Sequence, residues 1–509
     1  MAADWLGLVN QRLHRARARR ASWEPLWREC YSYALPQRAG GWGADFAPSV
    51  RQADRLFDGT ATDAVEQLAA SLMAELVPPW SEWFGLRPGV DVPEAERGTF
   101  AEQLETVARR VQGHFDRSNF SVEMHQCFLD LVTCGTAHLL FEEAEVGNAS
   151  AFRFTAVPIG EMFLDGDRGG EITSFYRATT HSLAGLAEQM PGVPWPKGLL
   201  EQRAVDPDQA VEVVEAVEPD GRRGFRFLRF LPPGTPGAPA GAILSEGAFE
   251  TSPFLCFRWV KGAGELYGRS PVMSALPDIK TANKVVELIL KNASIAVTGI
   301  WLADDDGVLN PANIRLQPGS IIPKAVGSAG LTPLQAPGRF DVSQLVLEDL
   351  RGRIRHTLLV DRLGPRVGPK MTATEVLERA GETSRLLGAM FGRLQAELLV
   401  PLLRRALGIL RRRGEIPALP IDGRAVEIDY RSPLARSQAR MDVQNTLLWL
   451  ETVGRLGADA QQVVDGRAAA IWLARALGVA GELVREDAAS GSAVGSLAGA
   501  LAEATARGA

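Results

Sequence analysis

Between Ser270 and Arg413 the sequence lays down three helical segments and breaks them twice, which restricts the fold more than any other feature of the chain. Ser270 and Pro271 form an N-cap and first-turn pair. The serine oxygen serves an unpaired helix N–H, and proline lacks the N–H that would otherwise go unsatisfied there. The helix they open is expected to run to about Ala296. Residues 297–340 then read as a small α/β or β excursion: Val297–Ala303, the turn Asp304-Asp305-Asp306-Gly307, Ile314–Ile322 and Gly330–Gln335. Asp341 is expected to cap a return helix in which Val342, Val346, Leu350, Ile354 and Leu358 recur every fourth residue. A Gly/Pro/basic loop, Asp361–Lys370, follows, and Thr372 with Glu375 makes a capping box for a third helix running to about Arg413. At ~1.5 Å per residue that helix is about 60 Å long. Pro401 is expected to kink or split it, because proline removes an interior hydrogen bond.

The flanking regions are patterned differently. In the first third, Val65, Leu68, Leu72 and Leu76 keep the helix period until Pro78-Pro79 stops it. Further helices are expected over Glu94–Ser118 and Val122–Cys134, the second ending at Gly135. From about Ala151 to Lys261 the period shortens, giving β-like runs at Phe152–Pro158, Glu171–Ala178, Ala210–Val217, Gly224–Leu231 and Pro253–Lys261. They describe a mixed or antiparallel module, with Pro219-Asp220-Gly221 as a turn. Beyond Pro433, helices are expected over Gln438–Leu456 and Arg467–Leu477, and the Ala/Gly/Ser-rich stretch from Ala488 reads as a flexible tail. There is no internal repeat. The N-terminal arginines (Arg12, Arg15, Arg17, Arg19, Arg20) run into Trp23, Leu26 and Trp27 at helical spacing, which suits an amphipathic surface helix better than a targeting peptide.

Composition excludes several classes. The 509 residues are enough for two to four domains, and 46% hydrophobic with 23% charged residues is ordinary globular usage. The longest apolar stretch, Ile295–Ala303, falls far short of the ~18 residues of a membrane-spanning helix. A net charge of −6 argues against a general nucleic-acid coat, so any contact with DNA must be local. Cys30, Cys127, Cys134 and Cys256 have no C-x-x-C spacing, and the six histidines lack metal-ligand spacing. No P-loop, H-E-x-x-H, G-x-S-x-G or Rossmann fingerprint is present. The acidic runs at Asp165 and Asp304–Asp306 lack the glutamate that completes a calcium loop and read as solvated turns. No catalytic, metal or cofactor site is expected.

The loop Asp361–Lys370 is open to two readings. Arg362, Arg366 and Lys370 among its glycines and prolines suit an exposed connector with solvated charges. The alternative is a finger that meets a polyanion through phosphate contacts without sequence preference. Trp301 likewise suits either a packed core position or, with Asp304, Asp305 and Asp306, a docking surface.

Several motifs occur together in a characteristic order. They are Arg55-Leu56-Phe57-Asp58-Gly59-Thr60 with its helix and Trp83-Phe84; Val157-Pro158-Ile159-Gly160-Glu161-Met162-Phe163; Leu266-Tyr267-Gly268-Arg269-Ser270-Pro271; and Met371-Thr372-Ala373-Thr374-Glu375-Val376. In this order and spacing the chain resembles the portal, or head-to-tail connector, proteins of short-tailed bacteriophages over roughly residues 10–480. The resemblance implies a mixed α+β, predominantly helical portal fold with wing, stem helix pair, clip, tunnel loop and helical crown. Residues 1–270 would be wing, with a helical block at 1–150 and the β module at 151–261. The stem helices would be 271–296 and 341–359, with the clip at 297–340 between them. The tunnel loop would be 360–371, the long kinked helix and wing return 372–431, the crown 432–487 and the tail 488–509.

It further implies a homo-oligomer, a twelve-subunit ring at one capsid vertex, through which double-stranded DNA enters during packaging and leaves on ejection. Arg362, Arg366 and Lys370 would touch DNA in the channel, and Trp301 with Asp304–Asp306 would dock terminase or a tail adaptor protein. Major capsid and scaffolding proteins would be the other partners, in the virion and, during assembly, in the host cytoplasm. The competing readings are another ring-forming adaptor or tail-tube protein, and a nucleic-acid-processing enzyme.

Overall fold

The computed structural model describes residues 2–38, 56–79, 81–93, 97–193, 195–221, 224–298, 301–303, 331–333, 340–360, 390–417, 424–431, 433–456 and 463–477. Within these residues the fold is mixed α+β with helices dominant. It is built on one large core that extends from Trp27 to Val426, with two satellite clusters beside it.

The helical part of the core follows the apolar periodicity. After α1 (Ala2–Ala21) and α2 (Glu24–Ala34), α3 (Thr60–Leu76) buries Val65, Leu68, Leu72 and Leu76 and stops ahead of Pro78. Helix α4 spans Arg97–Asp116, and α5 (Phe120–Cys134) ends at Gly135. That glycine has φ +80°, where a side chain would be strained, and its N–H closes the helix on the Leu131 carbonyl at 3.0 Å. An early strand, β1 (Phe84–Pro88), pairs antiparallel with a late one, Val426–Tyr430, so the two ends of the chain's order share one core.

Directly after Gly135 comes β2 (Thr136–Glu143), in the stretch whose pattern reads as helical. It is the centre of a three-stranded antiparallel sheet, flanked by β3 (Phe152–Val157) and by Phe254–Arg258. Its first six residues are all buried, so it shows none of the alternation that marks a half-exposed strand. The second sheet has five antiparallel strands in sequence order: β4 (Met162–Gly166), β5 (Ile172–Ser182), β6 (Ala210–Pro219), β7 (Phe225–Leu231) and β8 (Ala242–Phe249). The runs expected at 171–178, 210–217 and 224–231 are β5, β6 and β7. Strands β4 and β8 and the helices α6 (Leu183–Gln189) and α7 (Lys197–Val205) carry no such signal: β4 is only five residues long, and β8 includes Ser245, Glu246 and Gly247.

Helix α1 lies across this second sheet. Its Leu6, Val9, Leu13 and Ala16 pack with Phe163, Tyr176, Val214, Leu228 and Phe230. The arginine-rich face is ion-paired to the sheet: Arg12 to Glu218 at 2.6 Å, Arg17 to Glu212 and Arg19 to Asp165. Arg20 donates to the carbonyls of Gly160 and Met162. The basic run is therefore an amphipathic helix, as its spacing implied, and its docking on the β module is set by the tertiary packing.

Candidate functional site: the helix pair and its anchorage

Helix α8 (Pro271–Thr298) and helix α9 (Phe340–Thr357) pack on each other. They run antiparallel, because the end of α8 and the start of α9 are joined through a short ribbon, β10 (Trp301–Ala303) paired antiparallel with β11 (Leu331–Pro333). At the opposite end Asp278 of α8 accepts a hydrogen bond from Arg353 of α9 at 2.8 Å. Ser270 caps α8 as expected, its oxygen accepting from the Met273 N–H at 2.9 Å while its hydroxyl donates to the Thr133 carbonyl at 2.8 Å. The buried stripe of α9 is Leu347, Leu350 and Ile354, continued by Leu358 just past its end, whereas Val346 is 45% exposed. A row of fourth residues drifts around a helix of 3.6 residues per turn, so Leu347 takes the place that the spacing assigns to Val346. The helix starts at Phe340, one residue before the expected cap Asp341.

Two sequence motifs fix this pair to the core. In Leu266–Pro271, Gly268 donates to the Thr136 hydroxyl at 2.8 Å, and a Cβ there would stand 2.1 Å from the Gly135 carbonyl oxygen. The end of α5 and the start of α8 thus touch backbone to backbone, a contact only glycine permits. Tyr267 is buried edge-on against Trp27, ring centroids 4.9 Å apart, and its hydroxyl accepts from the Leu164 N–H. The other motif, Leu56–Thr60, joins both helices. Asn283 of α8 accepts from the Phe57 and Asp58 N–H groups at 2.7 and 3.1 Å, and buried Asp58 pairs with Arg351 of α9 at 2.7 Å. Asp58 also accepts from the Thr60 N–H, starting α3, and these charge-assisted bonds hold its carboxyl below the usual range despite burial.

The third helical segment departs from a simple kink. Residues 395–399 form a π-turn, in which Val400 donates to the Gln395 carbonyl, and Pro401 falls in the first turn of α10 (Val400–Arg412). A wider turn just ahead of Pro401 accommodates its missing N–H and its ring. The turn presents Glu397 to Arg258, on the last residue of β9 (Phe254–Arg258). Their guanidinium–carboxylate contact is 2.6 Å at its shortest, and the Arg258 N–H donates to the same carboxylate at 2.9 Å. The remaining guanidinium nitrogen donates to the Gly170 and Leu266 carbonyls at 2.8 and 3.1 Å. Arg258 therefore locks β9, the 166–171 turn, the Leu266–Pro271 motif and the third helical segment together.

Arg362, Arg366, Lys370, Asp304, Asp305 and Asp306 lie outside the described residues, as does the capping box at Thr372 and Glu375. Trp301 opens β10 opposite Pro333. Asp58, Asn283, Arg351, Arg258 and Glu397 carried no functional signal of their own; Asp58 alone stood inside a quoted motif. Among the described residues no group of three or more His, Cys, Asp or Glu is placed to hold a metal, and no helix is long and apolar enough to cross a membrane. All four cysteines are buried, free thiols, and burial pushes that of Cys30 up to about 12. An open cleft of about 360 Å³ between α7 and Gly237 is lined by Glu201, Gln202 and Asp206, without a nucleophile–base pair.

Comparison with known proteins places this architecture. The chain is 25% identical to the probable portal protein of Bordetella phage BPP-1 over 505 residues, covering 94% of this chain and 88% of the other. It is 24% identical to the portal protein of Salmonella phage epsilon15, covering 87% and 81%. It is 28% identical to the portal protein of Escherichia phage T7 over 35% of this chain and 33% of that one. A solved virion of a native gene transfer agent particle contains a chain that superposes with a TM-score of 0.38 at 13% identity, over 85% and 94% of the two chains. The family described as bacteriophage head to tail connecting protein matches residues 6–484, a range that includes the helix pair and all of its anchorage, and the chain belongs to that family.

Proposed function

We propose that the protein is a portal of the short-tailed phage type: a closed ring, of twelve copies, at one capsid vertex. It would form the channel for DNA packaging and ejection and the docking site for terminase and tail adaptor. The observation that carries this reading is the antiparallel pair α8–α9, rooted in the core through Asp58 and Arg351 and ending in the β10–β11 ribbon. A heterologous ring needs complementary side faces and no catalytic residue. In this reading residues 1–270 are wing, the helix pair is stem, 297–340 clip, 360–371 tunnel loop and 432–487 crown. An acidic average charge keeps the wall from gripping DNA, and grip falls to Arg362, Arg366 and Lys370, multiplied by the symmetry. Trp301 and Asp304–Asp306 serve docking, and capsid and scaffolding proteins receive the ring.

Native mass spectrometry with electron-microscopy class averages tests it. Twelve copies of a 55.0 kDa chain make a particle of about 660 kDa with a central hole. A compact dimer with nuclease or ATPase activity would overturn the reading. Replacing Arg362, Arg366 and Lys370 together by Ala is expected to leave the ring intact and to impair DNA packaging or retention. Loss of the ring in that variant would make the loop an assembly element instead.

A further inference from the structure

We infer that the contact between neighbouring copies is made by two complementary stripes on the helix pair: Lys284, Leu288 and Lys291 on α8 of one copy against Leu345, Glu348 and Asp349 on α9 of the next. The inference rests on the ring reading above and names the surface that builds it. Spacings of four and three residues place each set along one side of its helix. Leu288 is 49% exposed and is flanked by two exposed lysines. Both ammonium groups share a single carboxylate, Glu287, at 2.9 and 2.6 Å, so the stripe keeps a net positive charge. On α9, Leu345 is 75% exposed beside the half-exposed Val346, and Glu348 and Asp349 are exposed with no ion pair among the described residues. The nearby Arg351 and Arg353 do not neutralise them, being bound to Asp58 and Asp278.

Neither stripe takes part in the packing within the pair, which uses Leu347, Leu350 and Ile354 together with Val285, Val286 and Ile289. Single exposed leucines are ordinary on a protein surface. Here each is bracketed by charge, positive on one helix and negative on the other, which gives an apolar centre with complementary rims. Like stripes repel, so a two-fold pairing of α8 with α8 or α9 with α9 is disfavoured. The favoured contact joins different faces of two copies, and a contact of that kind repeats until the assembly closes.

Cysteine cross-linking of the assembled protein tests this directly. The four native cysteines are buried, so a short bismaleimide reports on introduced thiols. Leu288→Cys with Leu345→Cys in one chain is expected to give a ladder of bands up to the full copy number, and each single variant a monomer band only. A dimer band from either single variant overturns the inference, as does an intact ring, seen by electron microscopy, whose double variant gives no ladder. Absence of any ring overturns the underlying reading, and this inference with it. As a second measure, Glu348→Lys with Asp349→Lys is expected to raise the free-subunit fraction at least about tenfold. Adding Lys284→Glu and Lys291→Glu should reverse that rise. An unchanged subunit fraction in the first of these variants contradicts the charge pairing.

Discussion

Arg258→Ala is expected to destabilise the protein by about 3–5 kcal/mol, the cost of leaving one member of a buried ion pair without its partner. The side chain is buried and bonds the Glu397 carboxylate through two nitrogens and the Gly170 and Leu266 carbonyls through the third. Truncation strands the Leu266 carbonyl, leaves the Gly170 carbonyl to Lys261 alone, and leaves Glu397 with the backbone N–H of residue 258 and with Arg393, 3.4 Å away. Glu397→Ala should cost a similar amount, since it strips the partner from Arg258 and from the outward N–H at the end of β9. Arg258→Lys should rescue little, because an ammonium cannot span a carboxylate and two carbonyls with a planar fork. Replacing both members by Leu should recover part of the loss, since an apolar pair carries no desolvation penalty. Urea denaturation of the four variants checks this. Single variants within about 0.5 kcal/mol of the parent would show that the pair is a surface decoration in energetic terms.

Acid sensitivity is the other large expected effect. His138 lies in β2, the central strand of its sheet, 1% exposed, and neither ring nitrogen has a partner among the described residues. Burial, reinforced by the positive charge of Arg20, lowers its pKa from the ordinary 6.5 to about 3. The unfolded chain therefore takes up this proton near pH 6.5, whereas the folded chain does so only near pH 3. Stability from this residue is whole above the unfolded value and is lost progressively as pH falls towards the folded one. At about 1.4 kcal/mol per pH unit the loss amounts to about 5 kcal/mol at its end. His138→Leu is expected to hold or raise stability at pH 7, because it removes two buried polar atoms, and to flatten the fall between pH 6.5 and pH 3 relative to the parent. Parallel pH curves for parent and variant would mean that His138 is protonated in the folded state as easily as in the unfolded one.

Much of the architecture was legible because local chemistry and the global fold agree. Ser270 and Pro271 announce α8, Gly135 ends α5, and the apolar period locates α3 and most of the α9 stripe. Strand β2 was illegible because full burial erases alternation, and β8 because its exposed residues have weak strand propensity. The π-turn was not visible either: proline at 401 predicts a disturbance, but whether the helix bends, breaks or widens depends on what packs against it.

The candidate site divides along the same line. The sequence by itself determined the order of helices around an interrupted excursion, the basic Gly/Pro-rich composition of 361–370, the acidic balance and the motifs on which the resemblance to connector proteins rests. These are properties of consecutive residues, where capping, periodicity and turn chemistry act over a few positions. Tertiary structure alone decided that Asp58 meets Arg351 across 293 positions and that Arg258 meets Glu397 across 139. Such pairs are set by which elements share a core, and a lone charged residue in sequence looks the same whether it is solvated or holds two elements together.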